Sequence, residues 1–401
     1  MDFDEIFVDD NQIASARLVV GIPCWKEEAA IDVVAERAAA GLSSHFEQLD
    51  AVIVNVDSSA GETVRQNFLS ANTGNIGKIY IRLNPQIKGK GLNTLCIFKK
   101  ALSLGAQAAA IVEPDVTSIK PVWIRNLLEP VLQGSDLVTP LYMSHKYDAL
   151  LTNLLVYPLV RCIWGRRIRQ PLGGERAFSS NFMRILLSER SDPLVVDSNT
   201  DIDFWSTVLA LRYNTRLCQA YLAEPKGRRR LSYDPVIFKH VTRMLFQALN
   251  DNMAWLDIKW SKPTAVYGLD LKGTEPPYST SLNCEEIVRF LQTCWQPARE
   301  FLAGIKETSG LINDLDNQMP PMVDHARWSY FLLETFRAYQ RRPEMLSKLL
   351  DALLPVFWAR MLYFIKETEN MNFRQVENFL EDQCLVFEKH KEIFLLQLTC
   401  C

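Results

Sequence analysis

The segment "GAQAAAIVEPDVTS", Gly105–Ser118, joins a short apolar run to a polar turn. An uninterrupted apolar run of this length is typical of a strand that is buried on both faces of a parallel sheet. The turn that follows places two carboxylates, Glu113 and Asp115, one residue apart. The segment therefore predicts a buried strand with an acidic pair at its carboxyl end.

The same alternation of apolar runs and amphipathic stretches fills the first half of the chain. Strands are predicted at Arg17–Pro23, Ala51–Val56, Lys78–Leu83, Asp136–Met143 and Arg216–Glu224. Helical patterns between such runs indicate βαβ units, so we predict an α/β fold with a mainly parallel, Rossmann-like sheet. In such sheets ligands bind beyond the carboxyl ends of the strands.

After the segment "KGRRR" the pattern becomes helical almost throughout. In "NCEEIVRFLQTCW", Asn283 and Glu286 fit a helix N-cap pair, and apolar residues then recur on one face. We predict a sheet-containing domain at residues 1–230 and a helical C-terminal region at 231–401. The segment "QPLGGERAF" is predicted to be a glycine-containing loop, and "TAVYGLDLKGTEPPYSTS" a second loop.

Bulk composition excludes several classes of protein. The chain has 401 residues, 48% of them hydrophobic, which is enough for a full core, and a net charge of −3, which favours neither nucleic acid nor anionic membranes. The longest apolar stretch, Ala149–Val160, is too short to span a bilayer, and we predict a buried helix. Nine cysteines without a CxxC pair, together with an acidic N-terminus, predict reduced thiols and a cytoplasmic location.

The acidic pair Glu113 and Asp115 is a candidate metal site. Residues i and i+2 of an extended chain point the same way, and hard carboxylate oxygens suit Mg²⁺ or Mn²⁺. The alternative is a solvated turn or a cap on the next helix.

The loop "QIKGKGLNT" is a candidate anion site. Gly89 and Gly91 allow the backbone to approach a ligand, Lys88 and Lys90 add positive charge, and a helix N-terminus follows. A diphosphate suits this loop, although the GxxxxGK spacing of a Walker A sequence is absent. A solvated lysine loop is the alternative.

Other strand ends carry weaker signals. Asp57 ends the second strand, where it can bind a nucleoside or cap the turn that follows. Of Asp201 and Asp203, which do not share a helix face, we expect only one to be functional. Five histidines without HxH or HExxH argue against zinc, and no GxSxG nucleophile elbow occurs.

Taken in chain order, these segments resemble the GT-A glycosyltransferases of the mannosylglycerate synthase and glucosyl-3-phosphoglycerate synthase family. The resemblance covers most of the chain, and QPLGGE is its most specific motif. The matching segments are KGKGLNT, EPDVTS, DALLT, QPLGGE, DIDFW, YLAEPKGRRR and CEEIVRFLQTCWQP.

The resemblance implies a retaining transfer of a hexose from a nucleotide sugar, with GDP-mannose and UDP- or GDP-glucose as candidate donors. The acceptor is glycerate or a similar small carboxylate, and the product is a compatible solute. Donor-binding residues would be Pro23, Lys26, Glu27, Asp57, Lys88, Gly89, Gln170, Gly173 and Gly174.

The remaining roles follow from the same resemblance. Glu113 and Asp115 would bind Mg²⁺ or Mn²⁺, and Thr152 and Lys146 would bind the acceptor. Catalytic residues would be Asp203, which orients the acceptor hydroxyl, Glu175 at the sugar site, and Arg228.

Two positions depart from the family pattern, and a third bears on the acceptor. Glu113 replaces an aspartate, and Arg228 stands where the family has a third metal ligand, a histidine. Arginine does not ligate a cation but can neutralise a leaving diphosphate, so we predict weakened metal dependence. Leu150 stands where the phosphoglycerate enzyme has an arginine and where glycerate enzymes have an apolar residue, which favours unphosphorylated glycerate. Arg166, Arg167 and Lys146 can still serve a phosphate.

Two other readings stay open. The chain can be a glucosyl-3-phosphoglycerate synthase, or a GT-A protein that binds a nucleotide sugar without catalysis. A nucleotidyltransferase is disfavoured because "GIPCWKEE" lacks a glycine-rich loop. The sequence does not fix the donor sugar or the oligomeric state, and a homo-oligomer is one option.

Overall fold

A computed structural model describes most of the chain, in two compact units. The first unit takes the described residues within Met1–Met143, Gln170–Arg229 and Thr264–Thr274, and the second takes the described remainder. Side chains are described except at 251 and 393–399. The described residues are 5–9, 12–26, 30–86, 89–189, 202–223, 234–251, 262–268, 283–313, 315 and 320–399.

The described residues of the first unit form a nine-stranded sheet with the order β1-β4-β3-β2-β5-β8-β6-β9-β11. Two further short strands, β7 (Arg166–Arg167) and β10 (Lys262–Pro263), pair with each other in the second unit. The strands of the large sheet are β1 (Glu5–Asp9), β2 (Leu18–Cys24), β3 (Ala51–Asp57), β4 (Gly77–Leu83), β5 (Ala108–Ile111), β6 (Leu137–Leu141), β8 (Arg176–Ser179), β9 (Leu217–Tyr221) and β11 (Ala265–Tyr267).

The sheet is mainly parallel. Strands β4, β3, β2 and β5 run parallel to one another, as do β6, β9 and β11. Strand β1 is antiparallel at one edge, and β8 is antiparallel to both of its neighbours, β5 and β6. The reversed strand β8 therefore begins at the edge of the sheet where β5 ends.

Helices cover both faces of this sheet. Alternate residues of β2 supply the two cores, because Leu18, Val20 and Ile22 face one side and Val19 faces the other. Burial of each such side chain stabilises the fold by roughly 1.5–3 kcal/mol. The helices of this unit are α1 (Ile31–His45), α2 (Thr63–Ser70), α3 (Lys90–Ser103), α4 (Pro121–Leu132), α6 (Ser180–Ser188) and α7 (Ile202–Arg212).

The second unit is helical in its described residues, apart from the short pair of β7 and β10. A π-helical turn at Thr152–Val156 leads into α5, and a 3-10 turn at Pro343–Met345 precedes α12. The predicted N-cap is confirmed, since Asn283 accepts a hydrogen bond from the Glu286 backbone N–H at 3.1 Å. The helices are α5 (Tyr157–Trp164), α8 (Pro235–Asp251), α9 (Cys284–Ala303), α10 (Ser309–Asn313), α11 (His325–Arg341), α12 (Leu346–Thr368) and α13 (Phe373–Thr399).

The predicted fold class is confirmed. The chain is α/β, with a mainly parallel sheet and a helical C-terminal region, which is the architecture expected of a GT-A protein. Six predicted strands are present, with ends within two residues of the prediction except at β9, which ends at Tyr221, three residues before the predicted Glu224. Five strands of the described residues were not predicted: β1, β7 and β10, together with β8 in the segment read as a glycine loop and β11 in the second loop.

The two units interleave along the chain, whereas the sequence suggested one boundary at residue 230. Residues 144–169 belong to the second unit because their apolar helix packs on the C-terminal helices. Within that unit, Trp328 donates from Nε1 to the Leu154 carbonyl at 2.6 Å, and Gln383 donates from Nε2 to the Asn153 carbonyl at 3.0 Å. The assignment of catalysis to residues 1–230 stays a prediction.

The described cysteines and helices bear on the predictions about reduced thiols and membrane spanning. All seven described cysteines are free thiols, and five of them are buried. Burial raises the pKa of Cys96, Cys162 and Cys384 to about 12. No helix in the described part combines the length and apolarity that a bilayer crossing requires.

Candidate functional site

The carboxyl ends of β2, β3 and β5 lie side by side at one edge of the sheet, the strand-tip edge. In the β2–β3 ladder Cys24 is opposite Asp57, and in the β5–β8 ladder Ile111 is opposite Arg176. The start of β8 therefore lies beside the end of β5. This register brings the QPLGGE loop to the acidic turn, although the two segments are far apart in sequence.

Lys90 links two carboxylates at the strand-tip edge. It is the first residue of α3, and its Nζ lies 2.9 Å from Glu113 Oε1 and also contacts Asp203 Oδ2. The side chains of Lys90, Glu113 and Asp203 are 12%, 10% and 8% exposed. Three chain segments thus meet in one largely desolvated ion-pair cluster.

Two glycines of the QPLGGE loop are needed for close packing at this place. A Cβ on Gly174 would overlap Glu113 Oε1 and lie 3.0 Å from Lys90 Nζ. A Cβ on Gly173 would overlap the ring of Pro140. The loop backbone therefore lies directly against the ion pair, as glycine permits.

Arg176 fixes this loop to helix α7. Its fully buried guanidinium donates to the carbonyls of Pro171 and Gly173 and, at 2.8 Å, to Thr207 Oγ1. Its Nε is also 3.7 Å from Asp203 Oδ1. We define the strand-tip cluster as Lys90, Glu113, Gly174, Arg176 and Asp203.

Asn93 ties α3 to the ends of two strands. Its Nδ2 donates to the Cys24 carbonyl and, at 3.1 Å, to Ser58 Oγ. Its Oδ1 is buried and finds no hydrogen-bond partner among the described residues. Gly89, just before α3, has φ 153° and ψ 144°, a backbone conformation that favours glycine. The helix N-terminus is thus held rigidly at the strand-tip edge.

Asp57, the predicted nucleoside contact, is fully buried at the end of β3. Its Oδ1 accepts from the Ser59 N–H at 2.7 Å and its Oδ2 accepts from Tyr80 Oη at 2.9 Å. Burial and the neighbouring Asp57 raise the pKa of Tyr80 far above its usual range. These internal bonds fix the orientation of the carboxylate, and its role at a nucleoside stays a prediction.

Other predicted donor-binding residues lie near the same strand ends or pair with the backbone. Pro23 is buried in β2, and Lys26 is exposed beyond it. Gln170 forms a two-way bond with Tyr142, accepting from its N–H at 3.1 Å and donating to its carbonyl at 3.3 Å. Gly89 is buried at the start of α3.

Glu175 and Asp115 flank the strand-tip cluster in sequence. Glu175 is fully buried between Gly174 and Arg176, and Asp115 is half-buried two residues beyond Glu113. The backbone carbonyl of Asp115 accepts from the Thr117 N–H at 2.9 Å, which closes the turn. Their predicted roles at the sugar and at a metal stay predictions.

Five predicted residues are either not described or belong to the second unit. Glu27, Lys88 and Arg228 lie outside the described residues. Thr152 and Lys146 belong to the second unit. Lys146 donates all three ammonium hydrogens to carbonyls, those of Thr368 at 2.6 Å, Glu369 at 3.0 Å and Met371 at 3.1 Å. These bonds secure the end of α12, and the predicted acceptor contact of Lys146 stays a prediction.

The acidic pair was also tested for its fit to a divalent ion. The Lys90 ammonium lies at the Glu113 carboxylate, and the Gly174 backbone covers the same oxygen. Among the described residues, no group of three or more His, Cys, Asp or Glu side chains is arranged to hold a metal. Glu113 therefore does not fit a divalent ion in this arrangement, and participation of a divalent cation stays a prediction.

Sequence reasoning did not find the central pairing of the site. Lys90 was singled out only as positive charge in a glycine loop, and Arg176 was not singled out at all. The signal for Arg176 was its place directly after Glu175, where a buried strand begins. The Lys90–Asp203 contact joins residues 113 positions apart, which no local pattern reveals.

The chain was compared with known proteins. No family model and no curated protein matches it. Among solved structures it is similar to glucosyl-3-phosphoglycerate synthase from Mycobacterium tuberculosis in complex with phosphoglyceric acid, with 18% identity and a TM-score of 0.43 over 60% of this chain and 81% of that chain.

The same enzyme with Mn²⁺, uridine diphosphate and phosphoglyceric acid gives 18% identity and a TM-score of 0.42 over 62% of this chain and 81% of that chain. The similar structures thus include one of the two enzymes that the motif order resembles. Identities and TM-scores of this size carry no conclusion about what the present chain binds.

Proposed function

We propose that this protein is a retaining glycosyltransferase that moves a hexose from a nucleotide sugar to glycerate or a similar small carboxylate, for the synthesis of a compatible solute. The observation that carries the proposal is the convergence of Lys90, Glu113, Gly174 and Asp203 at the strand-tip edge. Ligands of parallel sheets bind beyond the carboxyl ends of the strands. Unrelated surface loops would not share one desolvated cluster.

The donor diphosphate is the group that must be neutralised as it departs, because negative charge builds on it in the transition state. We assign this work to Lys88 and Arg228, which lie outside the described residues, and to the backbone at Gly89. The N-terminus of α3 follows Gly89 and adds its dipole toward the same anion. Pro23, Lys26, Glu27, Asp57, Gln170 and Gly173 complete the proposed donor site.

Asp203 is assigned to the acceptor hydroxyl and Glu175 to the hexose. The carboxylate of Asp203 is held by Lys90 and lies 3.7 Å from Arg176 Nε, so its orientation is fixed before substrate arrives. A hydrogen bond from the acceptor hydroxyl to this carboxylate would direct attack on the anomeric carbon. Thr152 and Lys146 are assigned to the acceptor carboxylate from the resemblance alone.

The acceptor is proposed to be unphosphorylated. Leu150, which stands where the phosphoglycerate enzyme carries an arginine, is fully buried and apolar. That position gives no cation to an acceptor phosphate. A glucosyl-3-phosphoglycerate synthase is the second candidate, and it would need its phosphate contacts from Arg166 or Arg167.

A protein that binds a nucleotide sugar without turnover is the third candidate. It is motivated by the two departures from the family pattern, Glu113 and Arg228. The strand-tip cluster favours catalysis over this candidate, because binding alone does not require a carboxylate held between two cations at the loop.

A donor-by-acceptor matrix tests the proposal. The purified chain is incubated with GDP-mannose, GDP-glucose or UDP-glucose and with glycerate or 3-phosphoglycerate, and the product anomer is determined by NMR. We expect one donor with glycerate to give a product that keeps the donor's anomeric configuration. Tight nucleotide-sugar binding without transfer to any acceptor would leave only the non-catalytic candidate.

A further inference from the structure

Lys90 is placed where a cation is needed at the acidic turn. Its ammonium lies 2.9 Å from Glu113 Oε1 and contacts Asp203, so one positive charge bridges two carboxylates. All three side chains are at most 12% exposed. The charges of ion pairs with so little solvent exposure are screened only weakly by salt. Removal of one partner leaves the other as a buried unpaired charge, which destabilises the fold.

The loop that follows Gln170 covers this bridge. Gly174 lies so close that a Cβ there would overlap Glu113 Oε1 and come within 3.0 Å of Lys90 Nζ. Arg176 holds the loop through the Pro171 and Gly173 carbonyls. The position of Glu113 Oε1 is thus defined by Lys90 on one side and by backbone on another.

A divalent ion at the same oxygen is incompatible with this arrangement. Mg²⁺ needs oxygen ligands at about 2.0–2.1 Å in near-octahedral geometry. An ammonium 2.9 Å from Glu113 Oε1 would face such an ion at close range, and like charges in a desolvated site repel strongly. One of the two cations has to leave.

We infer that the Lys90 ammonium is the resident cation of the strand-tip cluster, and that Glu113 binds it in place of a divalent metal ion. Lys90 is then a positioning residue, which holds Asp203 for the acceptor hydroxyl. Its use in catalysis rests on the proposed transferase function, whereas its competition with a metal does not.

The test measures binding of Mn²⁺ to the full chain, from the loss of the free-ion EPR signal. Lys90→Met removes the charge and keeps the stem, and we expect it to tighten Mn²⁺ binding by about tenfold or more relative to wild type. Lys90→Met combined with Glu113→Gln should lose that gain. Lys90→Arg, which keeps the charge, should behave like wild type.

Lys78→Met is the matched control. Lys78 is also in the first unit, but its ammonium donates to the carbonyls of Phe68, Leu69 and Ala71 at the opposite end of the sheet. Its removal should leave Mn²⁺ binding as in wild type.

A further variant does not depend on the folding of Lys90→Met. In the wild-type background, Glu113→Gln should leave Mn²⁺ binding unchanged if Glu113 is not a metal ligand. Stoichiometric Mn²⁺ binding by wild type that Glu113→Gln abolishes, or unchanged affinity in folded Lys90→Met, overturns the inference. Absence of transfer in the donor-by-acceptor matrix would instead remove the proposed function and leave the Mn²⁺ results standing.

Discussion

Two buried ionic clusters, one in each unit, use the same chemistry for different ends. The strand-tip cluster joins two loop residues, the first residue of β8 and residues at the starts of two helices, at the edge where a parallel sheet binds ligands. The helix cluster joins Arg161 of α5 to Glu381 and Glu388 of α13, at 2.6 Å and 2.8 Å. It lies between packed helices, and Arg161 is fully buried. The position of an ion-pair cluster in the fold, more than the kind of ion pair, distinguishes a candidate functional site from a cluster that only stabilises helix packing.

The two clusters also differ in the groups that their charged side chains contact. In the helix cluster, each contact joins side chains of two packed helices. In the strand-tip cluster, Arg176 holds a glycine loop through backbone carbonyls, and Lys90 contacts two carboxylates beside that loop. A loop held in this way is preorganised for a ligand, which general catalytic principles require.

The largest expected effect is on stability, in the helix cluster. Arg161→Met leaves Glu388 buried without its partner at Nε, and removal of one member of a buried pair costs about 3–5 kcal/mol. The free energy of unfolding, measured by urea denaturation, should fall by that amount. The folded fraction should keep its kcat.

Arg125→Met is the control for that experiment. Arg125 pairs with Glu129 on the surface of α4 and is 46% exposed, so its loss should cost under about 0.5 kcal/mol. Equal destabilisation by both variants would show that burial does not distinguish the helix cluster.

In the strand-tip cluster the effect should be on rate. Asp203→Asn keeps the side-chain shape but removes the charge that orients the acceptor hydroxyl, and kcat for transfer should fall by about 10²-fold or more. Asp351→Asn, at an exposed pair with Lys239, should change neither rate nor stability. Near-normal turnover by Asp203→Asn would falsify the assigned role.

A smaller effect is expected from the loop glycine. Gly174→Ala forces a Cβ into Glu113, so either the loop or the carboxylate must move. Overpacking costs about 1–3 kcal/mol, and we expect kcat/KM for the donor to fall about tenfold as well. Stability comes from urea denaturation and kcat/KM from initial rates.

Gly310→Ala in α10 is the matched control, since a Cβ there meets nothing within 4 Å. It should be neutral or stabilise by up to about 1 kcal/mol. If the two alanine variants have the same stability and the same kcat/KM, the close packing of Gly174 does not contribute to function.

The smallest expected effect is a pH dependence of stability that comes from one histidine of the second unit. Burial, and then the nearby Arg360, lower the pKa of His325 in the second unit to about 3. The unfolded chain takes up this proton below about pH 6.5 and the folded chain does not, so stability should fall as pH decreases from there. At pH 5.5 the loss should be about 1 kcal/mol.

His325→Gln should flatten this dependence, because glutamine does not titrate. Urea midpoints of both proteins at pH 7.5 and pH 5.5 provide the measurement. An unchanged slope in the variant would mean that other groups cause the loss.

The sequence predicted the parallel part of the fold because buried strands such as Ala51–Asp57 are continuous apolar runs. It did not predict β8, because a strand of four residues after a glycine loop is too short to show a periodic pattern. The antiparallel insertion of this strand into the sheet is decided by tertiary packing. The acidic pair pointed to a metal, but Lys90, the partner of Glu113, stands at the start of α3, 23 residues earlier in the chain. Spacing shows which groups are present, whereas topology decides which of them meet.

The interleaving of the two units has a consequence for synthesis on the ribosome. Arg161 cannot pair with Glu388 until the ribosome has synthesised that residue, which is 227 residues further along the chain. At about 5–20 residues per second, that delay is roughly 10–45 s. Throughout it, the apolar surface of Ala149–Val160 lacks its final cover, and during the first part of it the large sheet still lacks β8, β9 and β11. The nascent chain therefore offers a long-lived target for chaperones, and slow translation would be expected to lower its yield.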